Sequence, residues 1–201
     1  MKLTSNEALN ILKKLKGKTN NDNWIKHCIC VGNTAGIIAV ALNLDEDYSK
    51  TLGYIHDIGK QFNYVSDGVY PHAIKGYNYL KNLGYDEEFA GICIKHSFLN
   101  NDINCLANST DETDKNNVNY EFFKEYIKND YTIYEKIINL CDLMCTTKRM
   151  TIDQRLNDII SRLGTHANTN YHINETKKLK KYFDDILGYD LYDLFPECKN
   201  N

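Results

Sequence analysis

An all-α bundle is the fold class this sequence predicts, and three observations predict it. Apolar residues recur at the helical period in segment after segment. Capping residues stand in front of most of those segments. The 201 residues contain no βαβ alternation, no internal repeat and no Gly-rich phosphate loop of the P-loop or dinucleotide type.

Taken in order, Thr4 or Ser5 caps a first helix with Ala8, Leu9, Ile11, Leu12 and Leu15 on the helical period, ending near Gly17. The polar stretch Thr19 to Asn23 offers N-caps to a long helix from Trp24 to about Leu42. On it Trp24, His27, Val31, Thr34 and Ile38 form one stripe, so His27 faces something buried, while Gly32, Ala35, Gly36 and Ala39 permit close helix packing. Asp45 or Asp47 starts a third helix through Leu52 and Ile55, with Gly59 as its stop, which puts His56-Asp57 at a helix C-terminal end. After a loop from Gln61 to Tyr70, Pro71 suits the first position of a helix Pro71–Leu83, with His72 in its opening turn and Gly84 at its end. Asp86–Glu88 begins another helix, whose last turn carries His96.

Residues Leu99 to Asn119 have neither apolar period and read as a long surface insertion, either a lid or a loop without function. Helices resume over Tyr120–Lys128 and Tyr131–Lys148, the second apolar on nearly every face, with Asp142 embedded in it. Thr151 caps a helix to Leu163. A basic-faced amphipathic helix over Glu175–Leu187 turns Leu179, Phe183, Ile186 and Leu187 inward, and Tyr189–Phe195 adds a final turn.

The length suits one domain over 1–201, with a motif-bearing core at 24–149 and C-terminal helices at 151–195. No apolar run approaches the roughly 18 residues of a membrane span, and lysines 13, 14 and 16 interrupt any signal-peptide core, so a cytoplasmic protein without a membrane partner is expected. Seven cysteines without a CxxC pair then read as reduced thiols, with Cys141 and Cys145 as core residues rather than ligands. A net charge of −3, with scattered lysines, gives no footprint for a nucleic-acid duplex but leaves room for a small phosphorylated ligand. Oligomeric state has no signature here.

The chemistry is carried by His27, His56-Asp57, His72, His96 and Asp142, in that order through helical text. Imidazoles and carboxylates hold hydrolytic metal centres, where a divalent cation turns water into a nucleophile and neutralises charge on a phosphoryl oxygen. Asp142 is the sharpest signal, because a carboxylate in an apolar helix carries a large desolvation cost unless a cation compensates. Asp57 has two oxygens and can bridge two ions, whereas each neutral imidazole gives one nitrogen to one ion. A bridging Asp57 with His27, His56 and Asp142 on one metal leaves His72 and His96 for the second.

These residues sit in text that resembles the HD-domain metal-dependent phosphohydrolases, whose pattern is H…HD…D. The resemblance lies in WIKHCICVGNTA around His27, LGYIHDIGK around His56-Asp57 and INLCDLM around Asp142. YPHAIKGYNYL and CIKHSF supply His72 and His96, the two further histidines of binuclear members. The resemblance covers roughly Trp24 to Arg149, and within that superfamily it is greatest to small bacterial stand-alone domains, including those that cleave diadenosine tetraphosphate at a di-iron centre. It implies an HD-domain helical bundle with the metal site between helices, and hydrolysis of a phosphoric ester or anhydride. The GYP signature of cyclic-dinucleotide phosphodiesterases is absent from the sequence.

The expected enzyme therefore acts on a nucleotide or dinucleoside polyphosphate through a metal-bridged hydroxide, with Asp57 shared by two divalent ions. Iron or manganese comes first; zinc, nickel and magnesium also suit mixed His/carboxylate ligation. Lys60, directly after HDIG, is the expected cation on a substrate phosphate, and Arg149 is a second candidate against its plainer reading as a helix-end cation. His166 and His172 stand in polar text and read as surface residues. Two rivals remain: a mononuclear nucleotidase that uses His72 and His96 on phosphate instead, and a non-catalytic nucleotide-binding sensor.

Overall fold

A computed structural model describes residues 1–19, 21–62, 71–105 and 119–199. Among these the chain is helical, with no strand beyond a single antiparallel bridge between Cys145 and Arg149. Helix α1 (Ser5–Leu15) is closed by a full capping box, Thr4 and Glu7 each satisfying the other's backbone amide. Helix α2 (Asn23–Ala41) runs through the centre, packed on α3 (Glu46–Ile55) and, across the site, on α8 (Ile133–Asp142).

The predicted stripe of α2 is the buried one: Trp24, His27, Val31, Thr34 and Ile38 all face the core. By length and composition α2 also passes as a membrane span, which the sequence reading did not anticipate, and 56% of that apolar stretch is buried within the bundle. Its close approach to α3 rests on two glycines. A Cβ on Gly53 would lie 2.5 Å from the Gly32 Cα, so neither helix tolerates a side chain where they cross.

Helix α4 (Pro71–Asn82) ends before Gly84, which adopts φ +82°. The segment expected as one helix up to His96 is two short pieces, α5 (Glu87–Ala90) and α6 (Ile92–Lys95), which meet at Gly91. Gly91 keeps helical angles, and its missing side chain admits the Tyr126 hydroxyl, 2.5 Å from where a Cβ would stand. Of the predicted insertion, Leu99 and Cys105 are buried, and 106–118 lie outside the described residues, as do 63–70 of the predicted Gln61–Tyr70 loop. Helix α7 (Tyr120–Tyr126) follows.

Two expected lengths are corrected. Helix α8 stops at Asp142, six residues short of Lys148, because the chain turns back on itself: Met150 donates its amide to the Met144 carbonyl at 2.8 Å and Thr146 to that of Lys148 at 2.9 Å. After α9 (Ile152–Leu163), capped by Thr151 as expected, α10 (Thr169–Leu187) begins six residues before Glu175. A 3-10 turn (Leu191–Leu194) and α11 (Pro196–Lys199) close the described chain. Ile186, expected inward, is 42% exposed.

The early start of α10 buries His172, which is 5% exposed rather than a surface residue, and burial pushes its imidazole down to about 4. A histidine that is harder to protonate folded than unfolded stabilises the fold fully above pH 6.5, and loses that contribution as pH falls towards 4. Between pH 7.5 and pH 5 this loss is expected to be about 2 kcal/mol. Urea midpoints at both pH values should fall less steeply for His172→Gln than for the unaltered chain; equal slopes would show that His172 does not couple stability to pH.

Candidate metal centre

Five separate segments deliver the six predicted side chains to one place. His27 projects from the first turns of α2, 8% exposed. Helix α3 has already ended when the HD pair arrives: His56 is its C-cap, and Asp57, at φ −106° and ψ 15°, opens a 3-10 turn (Ile58–Gln61). That change of geometry re-aims two consecutive side chains, which on a regular helix diverge by about 100°, towards the same centre. His72 is the second residue of α4, His96 caps α6, and Asp142 is the last residue of α8.

Gly59 has a different job from the helix stop that the sequence suggested. A Cβ there would fall 1.9 Å from the His72 carbonyl oxygen and 2.7 Å from the Gly76 amide nitrogen, so its bare backbone lets α4 lie directly on the HD turn. Backbone atoms cannot rotate away as a side-chain tip would. Gly59→Ala is expected to destabilise by roughly 1–3 kcal/mol and to push His72 away from Asp57. Chemical denaturation together with a metal-affinity titration checks this, and an unchanged pair of values would contradict it.

The distances divide the cluster around Asp57. On its Oδ2 side stand His56 Nε2 at 3.6 Å, His27 Nε2 at 3.7 Å and the Lys60 ammonium in a direct ion pair. On its Oδ1 side stand His96 Nε2 at 3.3 Å and His72 Nε2 at 3.4 Å. Asp142 Oδ1 is 2.9 Å from His27 Nε2, and His27 and His56 bring their Nε2 atoms within 3.2 Å. In each of three residue sets, His27/His56/Asp57, His56/His96/Asp142 and Asp57/His72/His96, the donor atoms lie within 4.8 Å of one another.

Hydrogen bonds behind the imidazoles fix their tautomers. His56 Nδ1 lies 2.7 Å from the Gly53 carbonyl and His96 Nδ1 lies 3.1 Å from that of Ile92. A carbonyl only accepts, so both Nδ1 atoms donate and a neutral ring turns its Nε2 lone pair towards the centre. Burial keeps His56 neutral by pushing it down to about 4, and does the same for His72, down to about 3. Burial works to raise the Asp57 carboxyl, yet the Lys60 ammonium leads the groups that hold it well below the usual carboxylate range. Asp142 is likewise held low against burial, chiefly by its hydrogen bond from His27.

One atom is left over. Asp57 Oδ1 is buried with no hydrogen bond of good geometry, and it stands 3.3 Å from His96 Nε2. Two electron-rich atoms so close repel unless a proton or a metal cation lies between them. Imidazole nitrogens and carboxylate oxygens that converge in this way fit a divalent metal ion.

The cluster forms the floor of a cavity of about 600 Å³ that also exposes Lys60, Trp24, Asn139, Thr147, Arg155 and Arg162. Five of these escaped the sequence reading as site residues. Asn139, one turn before Asp142, donates to the carbonyls of Lys95 at 3.1 Å and His96 at 3.0 Å, and so holds the end of α6 that carries His96. Trp24 stands one turn before His27. Arg155 and Arg162 lie two turns apart on α9, joined through Asp158 at 2.6 and 2.9 Å, and the Arg155 Nε reaches the Asp142 carbonyl at 3.4 Å. Their seven-residue spacing was a readable signal of a shared helix face.

Arg149 does not line this cavity, contrary to its candidacy for the substrate phosphate. Its guanidinium lies 4.2 Å over the Phe195 ring, donates to the Thr34 hydroxyl at 2.9 Å and pairs with Glu197, on the rim of a separate cavity. The turn that ends α8 early is what carries it there. Cys141 and Cys145 are fully buried core residues, as read from sequence.

Comparison with known proteins gives one family over most of this region: the HD domain matches residues 24–146. Ribonuclease Y of Oleidesulfovibrio alaskensis is 32% identical over 91 residues, 45% of this chain and 17% of that protein. Ribonuclease Y of Clostridium botulinum is 39% identical over 71 residues, 35% and 14%, and that of Protochlamydia amoebophila 31% over 128 residues, 61% and 24%. The chain thus spans less than a quarter of the length of these relatives. Among solved structures, the HD domain of the L. monocytogenes phosphodiesterase PgpH aligns over 89% of this chain and 95% of that one, at 17% identity and a TM-score of 0.47.

Proposed function

Since the chain belongs to the HD-domain family of metal-dependent phosphohydrolases, we propose that it hydrolyses a nucleotide or dinucleoside polyphosphate at a site built for two ions. The observation that carries this reading is the division of Asp57, one oxygen towards His27 and His56 and the other, without a hydrogen bond, towards His72 and His96. His27, His56 and Asp142 would hold one ion, His72 and His96 the second, and Asp57 both. Iron or manganese is the first candidate, though several first-row metals fit this mixed ligation. Ions bound there would supply Lewis acidity to a phosphoryl oxygen and a water acidic enough to attack at neutral pH.

The chain's own residues do the rest. Carbonyls of Gly53 and Ile92 hold two imidazoles in the ligating tautomer, so no proton must leave them before a cation arrives. Lys60 is the cation nearest the cluster; its ammonium pairs with Asp57 and lies at the cavity wall, placed to meet an equatorial phosphoryl oxygen. Arg155 and Arg162 line the same cavity and would supply positive charge for a second phosphate, and Trp24, also in the lining, would border a base.

A second reading has a specific support, the likeness to proteins named Ribonuclease Y: the phosphoester would then belong to single-stranded RNA. Metal-loaded protein incubated with mononucleotides, dinucleoside polyphosphates and a short RNA separates the two. Phosphate or nucleotide release from the first two classes, with kcat/KM at least about tenfold above RNA, is expected. RNA cleavage alone would transfer the site to the second reading, and tight binding without release from any of them would leave a sensor.

A further inference from the structure

We propose that Cys30 and Cys145 form a thiol pair that hydrogen peroxide oxidises to an intramolecular disulfide, a modification site apart from the metal centre. Of the seven cysteines, Cys28, Cys93, Cys105, Cys141 and Cys145 are 0% exposed and Cys198 1%; Cys30 is the one that reaches solvent. It does so in the second cavity, of about 520 Å³, whose wall also includes Lys26, Asn33, Lys148 and Arg149. A peroxide-sized molecule therefore meets one thiol, beside three cations.

Behind that thiol stands its resolving partner. Cys30 lies on α2 and Cys145 in the turn after α8, with the two thiols as neighbours. Thr34, one turn beyond Cys30, lies with its hydroxyl 3.4 Å from the Cys145 sulfur and accepts from Arg149 Nε at 2.9 Å. The backbone bridge between Cys145 and Arg149 fixes both on the same turn. The neighbouring Cys145 thiol, helped by the Arg149 charge and opposed by burial, pulls the Cys30 thiol down to about 7.

The chemistry closes without another reagent. The Cys30 thiolate attacks one peroxide oxygen; the S–O bond forms, the O–O bond breaks, and the departing hydroxide takes up a proton as water. The Cys145 sulfur then attacks the resulting sulfenic acid; the S–S bond forms, the S–O bond breaks, and the hydroxide leaves as water with the Cys145 proton. Two thiols lose two electrons and two protons, and one peroxide becomes two waters.

The first arm of the test uses the unaltered protein. Reduced, full-length protein is treated with a few equivalents of hydrogen peroxide, quenched with catalase, alkylated under denaturing conditions, and mapped by fragmentation mass spectrometry. The expected product is a Cys30–Cys145 linked peptide pair, two hydrogens lighter than its reduced parts, reversed by dithiothreitol, with two of the seven thiols lost. In Cys145→Ser, Cys30 should stop at a sulfenic acid that dimedone traps. Recovery of Cys30 as a free thiol, its conversion to sulfinic or sulfonic acid in the unaltered chain, or a disulfide to Cys141 or Cys198 instead, would each overturn the proposal.

Discussion

Asp57→Ala is expected to abolish both bound metal and turnover, with kcat falling more than about a thousand-fold, some 4 kcal/mol in the barrier. Asp57 lies within 4 Å of both imidazole pairs: its Oδ2 is turned to His27 and His56 and its Oδ1 to His72 and His96. Removing it withdraws a shared anionic ligand and leaves the Lys60 ammonium without its carboxylate. Elemental analysis should find no ion at this cluster, while the helical circular dichroism of the unaltered protein is retained. Asp57→Asn keeps the shape and removes the charge, so it should fail in the same way. A variant with full activity or full metal content would remove Asp57 from the centre of the account.

His72→Ala should have the next largest effect and a different signature. One ion per chain is expected to be lost and one kept, because His27, His56 and Asp142 are untouched on the other side of Asp57. Turnover should drop by more than about 100-fold. His96→Ala should copy this result, whereas His27→Ala should remove the opposite ion. If His72→Ala keeps its full metal content and only raises KM, His72 contacts phosphate and the site is mononuclear.

The parts of the centre that could be read in the text are those where a short rule meets a costly residue. His27 sat on a stripe of core residues, Asp142 in an apolar helix, and the HD pair at a helix end, so each demanded compensation that a buried cluster supplies. Helix starts were equally legible where a side chain caps them, at Thr4, Asp45 and Thr151.

What could not be read was set by contacts distant in sequence. Gly59 looks like any helix stop until α4 is laid on it. The end of α8 depends on a reversal held by backbone bonds among residues 144–150, which leaves no mark in helical periodicity and sends Arg149 to a separate cavity. His172 stands in polar text and is buried because α10 starts early and packs that turn inward. Arg155 and Arg162 reach the cavity only because α9 returns across the end of α8.

Anomalous diffraction at the metal edge, from crystals of iron- or manganese-loaded protein, tests the central claim most directly. Two peaks are expected about 3.5–4 Å apart, one among His27, His56 and Asp142, the other beside His72 and His96, with one oxygen of Asp57 on each. No peak among these six residues, or a single peak with Asp57 turned away from it, would contradict the account.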